Sequence, residues 1–182
     1  MATNHRAEKG EKAAEAPPAP PPAAPAPHPI IVERLTHQDV PEICNLFRRV
    51  WEPYLAGLPA EVQRAWQPTP LEFTSGMEGV TYFSARRDGK LIGVVGCELV
   101  DGACHLLNLC VEADQRRHGV GTALLQAALE WARHAGAKSL FADILPRFPD
   151  AALLLSQQQF AEAGTLHRHF WGEDVRQFER LL

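Results

Sequence analysis

No run in this 182-residue chain is long and apolar enough to cross a bilayer, and its opening charges are not followed by the apolar stretch that a secretory signal needs. The chain therefore reads as a cytoplasmic protein with no membrane partner. Cysteine is scarce: Cys44, Cys97, Cys104 and Cys110 show no Cys-x-x-Cys spacing. Three of them fall in strand-like segments, which marks buried reduced thiols rather than a disulfide framework. Cys104, His105 and Cys110 suggest metal ligands at first sight, but neighbours on a strand point to opposite faces, so no metal is expected. A surplus of positive charge is also lacking. The 18 Lys and Arg stand against 22 Asp and Glu, a formal net charge of -4, whereas a dedicated nucleic-acid binder carries the opposite balance. There is no Gly-x-Ser-x-Gly elbow, no cysteine in a nucleophile motif, and no Walker lysine behind the glycines described next.

What is present is an apolar fraction of 46%, enough for the core of one domain. Residues 1–29 have almost nothing to bury and include Ala16-Pro17-Pro18-Ala19-Pro20-Pro21-Pro22, so they are expected to form a disordered, semi-extended Ala/Pro-rich tail ahead of a domain at 30–182. The most informative segment is Gln115-Arg116-Arg117-His118-Gly119-Val120-Gly121-Thr122, between an apolar strand (105–111) and an apolar helix (123–132). Such a turn leaves the first helical amides unpaired, and with the positive helix end and two arginines it has the build of a phosphate cradle. Two glycines alone can simply shape a tight turn. A dinucleotide site is the rival, since Asp143 follows at about the distance of a ribose-binding acid. Against it, the third glycine position is Leu124, residues 112–118 separate strand from glycines, and the upstream segments look like hairpins.

Along the chain, Ile30–Leu35 reads as a strand and Thr36 or Asp39 as the cap of a helix whose stripe is Val40, Ile43, Leu46, Phe47 and Val50. Pro59 starts a second short helix. Asp88-Gly89 and Asp101-Gly102 lie between strand-like runs and predict two hairpins, hence three antiparallel strands leading into the cradle. Gly93 and Gly96 interrupt the middle one, where glycine weakens a strand unless a bend or close approach needs it. The helix after the cradle buries Leu124, Leu125, Ala128, Leu129 and Ala132 and ends at Gly136. A strand at 138–145, a helix capped by Asp150 and running to Gln159, and a hairpin of 161–170 with 175–182 about Trp171–Asp174 complete the chain. Strand, helix and strand in succession imply a parallel crossover beside the antiparallel hairpins, so the sheet should be mixed.

Arg116-x-x-Gly119-x-Gly121, entered from Leu109-x-Val111 and followed by Ala123-Leu124-Leu125, resembles the acyl-coenzyme A loop of the GNAT superfamily of N-acyltransferases. The resemblance covers about residues 30–182 and is strongest over 103–136. It implies an α/β (α+β) fold: a central mixed, mostly antiparallel sheet of six to seven strands with a splayed parallel pair and helices on both faces. It further implies acetyl-CoA as co-substrate, no metal, and direct transfer of the acetyl group to a primary amine of a small molecule, peptide or protein. On this resemblance Leu109, Cys110 and Val111 line the gap for pantetheine, Leu109 and Val111 giving its backbone partners. The diphosphate sits on the amides of His118, Gly119, Val120, Gly121 and Thr122, with charge from Arg116 and Arg117 and a further donor in the Thr122 hydroxyl. Trp51, Tyr54 and Trp66 then wall the acceptor site, although each taken singly is as readily an ordinary core aromatic.

The amine must lose a proton, and this matters more for a lysine, with a pKa of about 10.4, than for an α-amine of about 7.7 to 8.0. His105 is the first candidate base. It stands where the family often places a glutamate, and strand alternation puts it on a face with Leu107 and Leu109. A hydrogen-bonded structural histidine is an equal reading. Glu98 is the reserve, with a solvated salt bridge as its plain alternative. The chain departs from the family in the later helix: the tyrosine that protonates the departing thiolate is replaced by Leu155, beside Ser156. A thiol of pKa about 8.5 leaves tolerably without help, so Ser156 or water would serve, and Ser156 reads equally as a helix-surface residue. On these assignments Gly121→Glu should abolish cofactor binding by placing bulk and like charge against the phosphate, and His105→Ala should spare binding while slowing turnover. An acyl-CoA-binding module without catalysis, and an interaction protein acting through a polyproline tail, remain alternatives. The sequence leaves the acceptor unnamed and a homodimer open.

Overall fold

Asp88-Gly89 and Asp101-Gly102 each put two successive residues at positive φ (54° and 74°; 50° and 84°), the combination that a two-residue turn between twisted antiparallel strands requires. They shape the half of the sheet that leads to the site. The structure is a computed structural model and describes residues 28–182. Of the expected tail, residues 1–27 lie outside the described residues. In chain order the elements are β1 (Ile31–Arg34), α1 (Val40–Trp51), α2 (Ala60–Trp66), α3 (Pro70–Ser75), β2 (Val80–Arg87), β3 (Lys90–Val100), β4 (Ala103–Val111), α4 (Val120–His134), β5 (Ser139–Ile144), α5 (Pro149–Gln157), β6 (Ala161–Phe170) and β7 (Glu173–Leu181).

The seven strands form one sheet in the order β1-β2-β3-β4-β5-β7-β6. All pairings are antiparallel except β4 with β5, which run parallel and meet only at Cys104/Leu140 and His105/Phe141. Beyond those pairs the two strands separate. The mixed sheet with its splayed pair is the architecture implied by the resemblance, and it removes the doubly wound parallel sheet that a dinucleotide fold needs.

Helices cover both faces. On one, Leu124, Leu125, Ala128, Leu129 and Ala132 of α4, with Ala152 and Leu155 of α5, pack on Ile92, Val95, Cys97, Cys104, Leu106 and Leu140. On the other, the α1 stripe of Val40, Ile43, Leu46, Phe47 and Val50, with Phe73 of α3, packs on Tyr82, Leu91, Val94 and Cys110. All four cysteines are free and buried. α4 ends as expected: Gly136 sits at φ 78° and the amide of Ala137 closes back on the carbonyl of Ala132 at 3.0 Å.

Several local expectations need correction. A third short helix, α3, was not anticipated, although Thr69 and Glu72 form a capping box at its start. Asp39 precedes α1 but does not cap it: its carboxylate accepts from the amide and hydroxyl of Thr36 and pairs with Arg86. Asp150 caps nothing either, because α5 begins at Pro149 after Phe148 and already ends at Gln157. The last hairpin turns on Trp171-Gly172 alone, both at positive φ, so β7 starts two residues earlier than expected.

Candidate functional site

The turn between β4 and α4 owes its shape to two residues in the left-handed region, Arg117 at φ 63° and Gly119 at φ 83°. Gly119 holds the N-cap position, and no side chain among the described residues caps the helix. The first intrahelical bond runs from the amide of Ala123 to the carbonyl of Gly119 (3.0 Å). The amides of Val120, Gly121 and Thr122 are thus the orphan donors of a helix start, with no intrahelical acceptor and the positive end of a 15-residue helix behind them. Residues 115–122 are brought together as the sequence suggested. The two arginines of the turn differ. Arg116 donates from Nε to the carbonyl of Val111 (3.2 Å) and from Nη1 to the hydroxyl of Tyr54 (3.2 Å), so its guanidinium is engaged within the protein. Among the described residues Arg117 has no hydrogen-bond or ion-pair partner.

Gly121 requires a different explanation from the expected one. A Cβ there would stand 2.6 Å from Cδ2 of Leu154 on α5. A side chain at 121 therefore starts into the α4–α5 contact, so its first effect is on helix packing rather than on a phosphate.

The strand that enters the turn is irregular in a way that sequence alternation misses. Val94 faces Cys110 and Gly96 faces Leu107, so two residues of β4, Asn108 and Leu109, stand opposite the single Val95. Asn108 takes φ 52° to make this bulge. The extra residue exchanges the faces: Leu106 packs under α4, Cys110 packs under α1, and Leu109 and Val111 return to the α4 side. His105 and Leu109 thus lie on opposite faces, contrary to the alternation argument. Asn108 and Leu109 also lie past the last β4–β5 pair, so they belong to neither ladder.

His105 stands where the fork opens. Its ring stacks on Phe141 of β5 (centroids 4.4 Å apart, planes at 5°), and its Nε2 is 3.6 Å from Oδ2 of Asp143. Glu98 is its cross-strand partner on β3. Burial pushes the imidazole below its ordinary value of 6.5, against the opposing pull of the Asp143 and Glu98 charges. The ring is therefore neutral at pH 7 and able to accept a proton. Asp143 also accepts from Nε2 of Gln177 (3.2 Å).

Ser156 is not part of this constellation. Its hydroxyl donates to the carbonyl of Ala152 one turn back in α5 (3.0 Å), and its neighbour Leu155 is fully buried in the core. Among the described residues no cluster of three or more His, Cys, Asp or Glu side chains could hold a metal ion, and no helix is long and apolar enough to cross a membrane.

Beyond the fork, aromatic side chains from four segments join. Trp66 stacks on Phe170 (5.8 Å, 19°) and meets Phe148 (5.6 Å), which in turn contacts Trp51 (5.5 Å) and Tyr54 (4.9 Å). Arg147 fastens them by donating to the carbonyl of Tyr54 (2.6 Å) and pairing with Glu173. Trp51, Tyr54 and Trp66 had been singled out from sequence. Phe148, Arg147 and Phe170 had not, because nothing in linear order links the β5–α5 loop to the last hairpin, and Asp143 had been weighed only as the ribose-binding acid of a dinucleotide site. Tyr82, whose hydroxyl donates to Oδ1 of Asn108 (3.2 Å), was missed as well. An asparagine inside an apolar strand was its available signal, being poor in strands and tolerant of left-handed backbone.

The family model for the acetyltransferase (GNAT) family matches residues 40–156. No curated protein matches the chain. Among solved structures, the ribosomal-protein-S18-alanine N-acetyltransferase from Escherichia coli is similar at 20% identity over 84% of this chain and 93% of its own, with a TM-score of 0.67. A PaiA N-acetyltransferase from Thermoplasma acidophilum, solved with coenzyme A, is similar at 15% identity over 85% and 99%, with a TM-score of 0.71. A GNAT-family acetyltransferase from Streptococcus pneumoniae gives 20%, 85%, 99% and 0.69. At such identities the likeness is one of fold, whereas the family match starts at the first residue of α1, ends in the last turn of α5, and takes in bulge, fork and cradle on the way. On that ground the chain belongs to the GNAT acetyltransferase family.

Proposed function

We propose that this acetyltransferase moves the acetyl group of acetyl-CoA directly onto a primary amine, carried by a small molecule or a peptide, with no covalent enzyme intermediate. The supporting observation is the set of amides at the head of α4 that have no partner among the described residues, next to a parallel pair that divides straight after His105 and Phe141. Donors at a helix start suit a diphosphate, and a gap between strands suits an extended chain carrying amides of its own. The cradle of 117–122 holds the diphosphate, with Arg117 adding charge and Arg116 bracing the strand end against Tyr54. Leu109 and Val111 supply main-chain partners in the gap, with Cys110 between them turned into the core.

The thioester supplies an acetyl group activated for attack. As the C–N bond forms, the amine loses a proton and negative charge grows on the carbonyl oxygen, and that charge leaves with the thiolate as the C=O bond reforms and the C–S bond breaks. His105, held neutral by burial, takes the proton, and the Asp143 and Glu98 charges stabilise the imidazolium that results. Main-chain N–H groups are the donors that stabilise such a charge. With Ser156 tied to its own helix, the thiolate leaves unassisted or takes its proton from water. Four free, buried thiols accord with a cytoplasmic setting.

Calorimetry with acetyl-CoA, followed by a thiol-release screen over small amines, polyamines and peptides with free N-termini, tests the reading. The names of the solved neighbours recommend alanine-initiated peptides in that panel. Binding with acceptor-dependent thiol release is expected. Binding without release on any acceptor class would turn the protein into a carrier of acyl-CoA, and absence of binding would overturn the proposal.

A further inference from the structure

Tyr82 is almost wholly excluded from solvent, at 6% exposure, and the chemistry described so far makes no use of it. Its position is nevertheless built with care. A Cβ on Gly96 would stand 2.7 Å from Cε1 and 3.1 Å from Cζ of the Tyr82 ring, so only glycine at 96 lets the ring lie across β3. Phe73 holds it from another side, with centroids 5.0 Å apart. Crossing β3 carries the hydroxyl from β2 to β4, where it donates to Oδ1 of Asn108. Asn108 is the left-handed residue of the bulge, and it and Leu109 are the two residues that neither neighbouring strand pairs. The left-handed backbone costs a non-glycine residue up to about 1 to 2 kcal/mol and asparagine less, and a hydrogen bond that fixes the Asn108 side chain favours this one conformation.

We propose that Tyr82 is a positioning residue that, by donating to Asn108, holds the β4 bulge open so that the main-chain N–H groups of Asn108 and Leu109 polarise the carbonyl of the bound thioester. This rests on the reading of the gap as the acetyl-CoA site. The ring fills the hollow above Gly96, the hydroxyl fixes the Asn108 side chain, and the side chain fixes the backbone turn. Burial, aided by the Glu98 charge, pushes the phenol up to about 12, which keeps it protonated and a donor through the neutral range.

The test is the infrared carbonyl band of [1-13C]acetyl-CoA bound to the full chain, with affinity from calorimetry. Polarisation lowers the band relative to the free thioester. Tyr82→Phe keeps the ring over Gly96 and removes only the donor; it is expected to leave affinity unchanged and to move the band back towards its free position. On an accepted amine it should lower turnover about tenfold, less than the about 100-fold or more that removal of an oxyanion donor itself costs. Asn108→Ala should repeat the band shift, and the double variant should go no further than either single one. Asn108→Gly, which adopts the left-handed backbone unaided, should keep the wild-type band even when combined with Tyr82→Phe. Should Tyr82→Phe not fold, the contrast between Ala and Gly at the exposed position 108 decides alone. An identical band in wild type and variants, with binding intact, overturns this inference and leaves the proposed function standing. Failure of the wild type to bind acetyl-CoA overturns the proposed function instead.

Discussion

The side chain that Gly121 lacks would lie 2.6 Å from Cδ2 of Leu154, so the second glycine of the cradle is set by the approach of α4 to α5. Gly121→Ala forces the end of Leu154 to swing aside, and Gly121→Glu has no such remedy. Because the atom met is the far end of a flexible side chain, Gly121→Ala falls at the low end of the about 1 to 3 kcal/mol that overpacking costs. Urea denaturation is expected to show a small loss in Gly121→Ala and a Leu154→Ala truncation that costs less in the Gly121→Ala background than in wild type, with acetyl-CoA affinity close to wild type throughout. An unchanged midpoint together with lost binding would restore the phosphate-crowding explanation.

Gly119 makes the opposite prediction. Its absent Cβ would find only Cδ1 of Ile30 at 3.9 Å, so there is room, but φ is 83°. Gly119→Ala should cost about 1 to 2 kcal/mol through the left-handed backbone alone, and Gly119→Asn less. Because this residue aims the orphan amides, the loss should appear in acetyl-CoA affinity as well as in the melting midpoint. Calorimetry on the three forms should rank them Gly, Asn, Ala.

These two glycines show what was legible in the linear chain. The cradle, the hairpins on Asp-Gly and the crossover through α4 are local or nearly local, and periodicity with turn chemistry reaches them. What was not legible depends on one inserted residue. Nothing between His105 and Val111 breaks the apolar pattern except Asn108, and without its bulge Leu109 falls on the wrong face. Gly96 lacked an explanation until Tyr82, 14 positions earlier, was seen to cross it. The aromatic group around Phe148 joins segments as far apart as α1 and the last hairpin. Arg116 carried the right charge for a phosphate, and nothing in linear order shows that its guanidinium also donates to Val111 and Tyr54.

That division between the arginines is measurable. Arg117→Ala should weaken acetyl-CoA binding and flatten its dependence on ionic strength, since a partly exposed cation near a diphosphate acts through a screened field. Arg116→Ala removes two internal hydrogen bonds, each worth about 1 kcal/mol. It should lower the melting midpoint while leaving the slope of affinity against salt as in wild type. Equal salt slopes for both variants would assign both arginines to the anion.

His105 ties stability to pH as well as activity. Its folded value lies below the unfolded one because burial outweighs the attraction of Asp143 and Glu98. Below pH 6.5 the unfolded chain therefore holds more protons at this site, so stability rises with pH across that window and is fully present above it. On acidification from pH 7, wild type should lose stability that His105→Gln retains, as read from urea midpoints at successive pH values. Asp143→Asn removes a charge that favours the imidazolium, so the folded value falls further and the acid limb of kcat/KM moves to lower pH. With Asp143→Asn folded and binding acetyl-CoA, an acid limb that stays in place would separate His105 from the proton transfer and leave it a stacked structural residue on Phe141.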